Sequence, residues 1–182
     1  MNNLTPHPLE KLDGCINTAS GNKIDLLNPK TDQISINDIA IALGNTSHFG
    51  GQTKRFFSVA QHSWLVAEIA PEHLKKEALM HDAAEAYLGD MIKPLKILLP
   101  EYQRLEEQML KVIFERYHLD YEKLIDVKRY DKKIQQLEYD FFYGDRVNSL
   151  EIYLNRKKYY RCWTPEASTS NFLSAFNVLF KH

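Results

Sequence analysis

Cysteine is nearly missing from this chain. Cys15 and Cys162 stand far apart among 182 residues. Neither belongs to a Cys-x-x-Cys pair, which excludes a zinc ribbon or a thioredoxin-type redox motif. Two free thiols in a reducing cytosol are favoured over a disulfide between them. An excess of either charge is also missing. Lys and Arg number 23 against 24 Asp and Glu, a net charge of −1, so no global basic field draws in a nucleic-acid polymer. A nucleotide-sized ligand stays open, because it needs only a few local cations. No apolar run is long enough to span a bilayer. The segment Met1 to Pro8 has neither the charged nor the apolar region of a secretory signal. The expectation is a cytoplasmic protein with no membrane partner. No repeat, low-complexity tract or linker interrupts the chain, so 1–182 reads as one domain with a real core.

The remaining sequence is patterned mostly for helix. Residues 1 to about 12 read as an arm. Gly14–Ala19 and Lys23–Leu27, around Ser20-Gly21-Asn22, read as a small β-hairpin. Ser35-Ile36-Asn37-Asp38 begins a helix with Ile36, Ile39, Ala40 and Leu43 as its apolar stripe, and Gly44-Asn45 ends it. Thr46 to Arg55 is a polar, glycine-containing loop. Ser58 caps a helix that stops near Pro71, and a further helix runs from Glu72 to about Leu88. Pro94 and Pro100 bracket a short turn or half-helix. Glu101–Tyr117 and Leu124–Phe142 carry helical periodicity, and Gly144-Asp145-Arg146 breaks the second. Asn148–Tyr160 carries no clear pattern. Thr164-Pro165 starts a last helix whose stripe is Phe172, Leu173, Phe176, Leu179 and Phe180. Those rings read as core in preference to a dimer face. The fold class is an all-α bundle with a small N-terminal hairpin, its core spanning about 36–142 and a C-terminal helical extension about 150–182.

One stretch, His81-Asp82-Ala83-Ala84-Glu85-Ala86-Tyr87-Leu88-Gly89-Asp90, sits badly with that apolar pattern. His81, Asp82 and Glu85 fall on adjacent helical positions among Ala78, Leu79, Met80, Ala83, Ala84 and Leu88. Buried charge is costly unless it is paired or bound to metal, and a divalent cation compensates all three at once. A nitrogen-and-oxygen site needs ligands from several elements. His62, in Ser-Val-Ala-Gln-His-Ser, comes from the preceding helix. Asp131 comes from a later one, at i+4 from Val127; the nearby Asp126 is explained by the helix dipole, and Asp140 remains a competitor. His62, His81, Asp82 and Asp131 make a set of two imidazoles and two carboxylates. That set suits one divalent transition metal, Mn, Co, Zn, Fe or Ni, better than Ca or Mg. Such an ion can lower the pKa of its water from about 15.7 to about 7. Glu85, one turn on, is placed to orient or deprotonate that water.

The order His … His-Asp … Asp resembles the HD-domain superfamily of metal-dependent phosphohydrolases. Ser58 to Ser63 and His81 to Lys96, which follow His-Asp-Ala-x-Glu-Ala-Tyr-x-x-Asp-x-x-x-Pro-Leu-Lys without a gap, are similar to a bacterial and phage branch of 5′-deoxynucleotidase-like proteins. The resemblance covers about Ile36 to Phe142. It implies that Asp131 rather than Asp140 is the fourth ligand, that Glu85 is catalytic, and that Asp90 serves the leaving group or the water. Capping the following turn is the alternative for Asp90. It implies that Lys96 meets phosphate oxygens. Relatives place an Arg in the loop before His62, where this chain has His48-Phe49-Gly50-Gly51, so His48 is the expected phosphate contact and Arg55 a compensating cation.

The function implied is a hydrolase of small (deoxy)nucleotides in nucleotide metabolism. Removal of a 5′-monophosphate is favoured, with a dATPase-like triphosphohydrolase as the runner-up. Cyclic-dinucleotide hydrolysis is disfavoured, because no Gly-Tyr-Pro string follows the His-Asp pair. A non-catalytic nucleotide-binding module and an interaction protein are the competing classes; a homo-oligomer is compatible with each.

Overall fold

The computed structural model describes residues 14–144 and 162–181. The arm at 1–12, the Asp145-Arg146 break and the unpatterned stretch 148–160 lie outside the described residues. The expected helical bundle with a small N-terminal hairpin is what the chain forms. Strands β1 (Cys15–Asn17) and β2 (Lys23–Asp25) pair antiparallel with Ile16 opposite Ile24, and Ile24 enters the core.

Helix α1 (Ile36–Asn45) differs from the sequence expectation at both ends. Ser35 makes no side-chain cap. The buried Asp38 instead accepts from Thr18 Oγ1 (2.9 Å), Ser20 N (2.8 Å) and Ser20 Oγ (2.7 Å), tying the hairpin turn to the helix. These bonds, working against burial, hold its carboxyl below the usual range. Gly44 does not stop the helix. It lies inside it, where a Cβ would run into Thr169 Oγ1 and approach Pro165 O to 3.0 Å. Close packing against the last helix, α8 (Pro165–Leu179), explains that glycine. Thr164 Oγ caps α8 from Ala167 N, with Pro165 in its first turn. Phe172 and Phe176 point into the core. Thr169 Oγ1 bonds to Ala40 O (3.3 Å) and Ser168 Oγ to Ser58 Oγ (2.8 Å), so this helix packs into the bundle through α1 and α2.

Helix α2 (Val59–Ile69) begins where Ser58 Oγ accepts from Gln61 N. The loop before it contains a tight turn at His48–Gly51 with positive φ at Phe49, Gly50 and Gly51. The continuous helix expected over Glu72–Leu88 is broken. α3 (Lys75–Met80) and α4 (Glu85–Leu88) are separated by a tightened turn, in which Ala83 N bonds to Met80 O and Glu85 N to Asp82 O. The cause is a competing acceptor use: Ala78 O takes its bond from the His81 ring at 2.8 Å. Gly89, at φ 80°, closes α4. α5 (Lys93–Leu98), α6 (Pro100–Arg116) and α7 (Leu124–Tyr143) complete the bundle. No helix among the described residues is long and apolar enough to cross a membrane.

Candidate metal centre

Four side chains from three parts of the bundle converge. α2 supplies His62, the α3–α4 turn supplies His81 and Asp82, and α7 supplies Asp131. His62 Nε2 lies 3.2 Å from Asp131 Oδ1 and 3.5 Å from Asp82 Oδ2. His81 Nε2 lies 3.1 Å from Asp82 Oδ2 and 3.7 Å from Asp131 Oδ1. Donors each about 2.1 Å from one ion are separated by about 3.0–3.4 Å, so these separations suit a shared cation.

The opposite ring nitrogens decide which lone pairs are free. His81 Nδ1 meets the carbonyl of Ala78. A carbonyl only accepts, so Nδ1 carries a proton and Nε2 faces the cluster. His62 Nδ1 meets Glu138 Oε1 at 2.9 Å and Oε2 at 3.0 Å. Neither His62 nor Glu138 has exposed surface. Burial opposes ionisation of Glu138, yet His62 and His48 hold its carboxyl down to about 2, so it too accepts. Both Nε2 atoms therefore point at carboxylate oxygens. Neutral rings there would set lone pair against lone pair, and either two extra protons or one divalent cation removes the conflict. His81 Nε2 is buried with no well-directed hydrogen-bond partner among the described residues. The donor set fits a divalent transition ion.

Without a cation the protons settle the electrostatics. Burial disfavours charge on His81, but Asp82 and then Asp131 outweigh it and push its pKa to about 10. Burial likewise opposes His62, and Glu138 and Asp131 raise it well above its ordinary value. Asp82 goes down to about 2, its burial outweighed by His81 and His62. Asp131 is held below the usual range against its own burial by bonds from both imidazoles. Gln135 Nε2 steadies Asp131 Oδ1 at 2.7 Å.

The other sequence candidates divide. Glu85, 5% exposed, stands beside the cluster. Burial first, then the charges of Asp82 and Asp90, raise its pKa well above the ordinary carboxylate value, with Lys96 pulling the other way. Lys96 Nζ lies 3.7 Å from Glu85 Oε1 and 2.6 Å from Glu106 Oε1. A cleft of about 490 Å³ opens next to His81 and Asp82; Lys96, Gln103, Glu106, Tyr121 and Lys128 also line it. His48 and Arg55 are not in that lining. His48 is 8% exposed, stacked 4.5 Å from the His62 ring. Its Nδ1 lies 3.2 Å from Asp90 Oδ2 and its Nε2 3.6 Å from Glu138 Oε2. Asp90 Oδ2 also accepts from Gly50 N at 3.3 Å. Arg55 is exposed, and its charge lowers the Cys162 thiol while burial raises it.

Glu138 was missed in the sequence, although a signal was present. It falls at i+7 from Asp131 on the stripe Val127, Asp131, Ile134, Glu138, with steps of about one helical turn. His48, His62 and Glu138 form a second buried group able to hold an ion, beside His62, His81 and Asp131.

Comparison with known proteins places this geometry. A family profile described as an HD domain matches residues 46–172. The uncharacterized protein YfdR of Escherichia coli K12 is 47% identical over 104 residues, 57% of this chain and 58% of that protein. An uncharacterized protein of Rhodobacter capsulatus is 37% identical over 110 residues, 55% and 56% of the two chains. The matches thus span just over half the length of these relatives.

Proposed function

This chain belongs to the HD-domain family, and on that footing we propose that it is a metal-dependent phosphohydrolase of small (deoxy)nucleotides, acting on 5′-deoxynucleoside monophosphates. The observation that carries the reading is the tied-off Nδ1 of both His62 and His81, which leaves two Nε2 lone pairs aimed at Asp82 and Asp131. His62, His81, Asp82 and Asp131 hold the cation. When bound, it supplies charge neutralisation to a phosphoryl group and acidifies water.

The chain's own residues supply the rest. Glu85, its pKa raised by burial, is suited to take a proton near neutral pH from the attacking water. Lys96 faces Glu85 and lines the cleft, so it limits the rise in Glu85 and presents positive charge to the substrate side. Asp90, fixed by Gly50 N–H and His48, serves the leaving oxygen. The cleft volume falls in the range of ligand sites, about 300–1,000 Å³.

Charge in the cleft favours a monophosphate over a triphosphate. Asp82, Glu106 and Glu107 line it against Lys96 and Lys128, and Lys96 is already paired with Glu106. One divalent ion and Lys128 match a single phosphate better than three. The experiment is a panel of deoxynucleoside mono-, di- and triphosphates with the metal-loaded protein, with phosphate, pyrophosphate and triphosphate read separately. Phosphate from monophosphates is expected. Triphosphate release moves the chain to the dATPase-like class, and no turnover across the panel with metal bound makes it a binding module.

A further inference from the structure

Glu138 is a carboxylate with no exposed surface, and the direct contacts to it come from two histidines. An ionised group in that position is costly unless it has a compensating task. It does not reach the face of His62 that looks at Asp82 and Asp131; it holds the opposite nitrogen with both oxygens, at 2.9 and 3.0 Å. As a ligand of a second ion shared through His62, it would require that ring to give up both protons, which a neutral imidazole resists. As an acceptor it asks for nothing unusual. It fixes which nitrogen carries the proton, fixes the ring plane, and makes Nε2 more basic.

The same carboxylate extends further. Glu138 Oε2 lies 3.6 Å from His48 Nε2, and His48 Nδ1 lies 3.2 Å from Asp90 Oδ2. The His48 ring also stacks on His62, at 4.5 Å and 27° between planes. His62, Glu138, His48 and Asp90 thus form one buried row, from the α2 ligand to the residue after Gly89. Its members come from four places in the chain, so none can shift without its neighbours.

We propose that Glu138 is a positioning residue of the metal centre, orienting His62 toward the cation and, through His48, setting the place of Asp90. This rests on the metal-dependent reading above, and it adds a residue that touches neither cation nor substrate. His48 is then part of the support and not a phosphate contact.

The test is Co²⁺ binding by titration, with the visible Co²⁺ spectrum as a second readout, on wild type, Glu138→Gln and Glu138→Leu. Circular dichroism and thermal melting check the fold of each. Glu138→Gln keeps an oxygen for the Nδ1 proton and is expected to weaken Co²⁺ binding by about 10-fold. Glu138→Leu removes the acceptor and is expected to weaken it by up to about 100-fold, with a changed spectrum. Should Glu138→Leu fail to fold, Glu138→Gln alone decides. Unchanged affinity in a folded variant overturns the proposal and leaves the metal-dependent reading standing. Two Co²⁺ per wild-type chain also overturns it, since Glu138 would then be a ligand. Wild type that takes up no Co²⁺ removes both readings.

Discussion

Glu138 and His62 meet at 2.9 Å in a place neither shares with solvent. Their contact links two kinds of order. It closes the α2–α7 packing with a polar bond, and it leaves the far nitrogen of His62 facing Asp131 at 3.2 Å. A buried carboxylate behind a histidine is the arrangement that makes a good nitrogen ligand from an ordinary core position.

Glu85→Gln is expected to keep cation binding and lose turnover, by roughly 10²–10⁴-fold if it acts as the general base. Metal content and phosphate release are measured on the same preparation. Normal turnover would remove the assigned role.

Asp131→Asn and Asp140→Asn separate the ligand from its helical neighbour. Asp131 meets His62 and His81, whereas Asp140 accepts from Gln136 Nε2 at 2.9 Å near the end of α7. Stoichiometric uptake of Mn²⁺ or Co²⁺ is expected to fall sharply in the first variant and stay intact in the second. The reverse pattern would reassign the fourth ligand.

Metal-free protein and metal-bound protein should respond to pH in opposite directions. The folded pKa of His81 is raised from 6.5 to about 10. Its stabilising contribution in the metal-free state is therefore complete below about 6.5 and lost as pH rises toward 10. Asp82 and Glu138, lowered to about 2, contribute above their ordinary values and lose that contribution as pH falls toward 2. Cation binding must displace the histidine protons, so affinity grows as pH rises from about 6.5. Melting temperatures at pH 6.5 and 8.5, each with and without Co²⁺, should show a larger metal-induced increase at the higher pH. An equal increase at both would mean that no proton is displaced.

Lys128→Ala is expected to raise KM for a monophosphate by several-fold with kcat little changed. Lys128 lines the cleft, and among the described residues it makes no ion pair. Lys96→Ala is expected to change kcat as well, since Lys96 also acts on Glu85. Steady-state kinetics on both variants distinguishes uniform substrate binding from help to the reacting group.

Gly44→Ala tests the α1–α8 contact. A Cβ there meets Thr169 Oγ1 and two backbone atoms of α8 at 3.0 and 3.1 Å. Overpacking of this kind costs about 1–3 kcal/mol. Chemical denaturation should show that loss, with partial recovery when Thr169→Ala is added. Unaltered stability would mean that α8 moves away at no cost.

Much of this was legible from local pattern. The spacing of apolar residues located the helices, Ser58 and Thr164 marked two starts, and His62, His81, Asp82 and Asp131 could be named because ligand types recur in a recognisable order. Gly44 misled, because a glycine that lets two helices approach looks in sequence like one that ends a helix. The Glu72–Leu88 segment misled for a related reason: its periodicity is helical, but the His81 ring takes the Ala78 carbonyl and tightens the turn. His48 and Glu138 could not be paired from sequence, since 90 positions separate them and each alone resembles an ordinary polar residue.

The sequence by itself determined which segments are helical, which faces are apolar, and that several acids and histidines would be carried into the interior. Those properties follow from local backbone preference and period. Tertiary structure alone decided which nitrogen of each histidine is free, that His48 lies between Asp90 and Glu138, and that Lys96 is held by Glu106 and near Glu85. Such facts depend on distances of about 3 Å between residues far apart in the chain, which only the packing of α2, α4, α5, α6 and α7 sets.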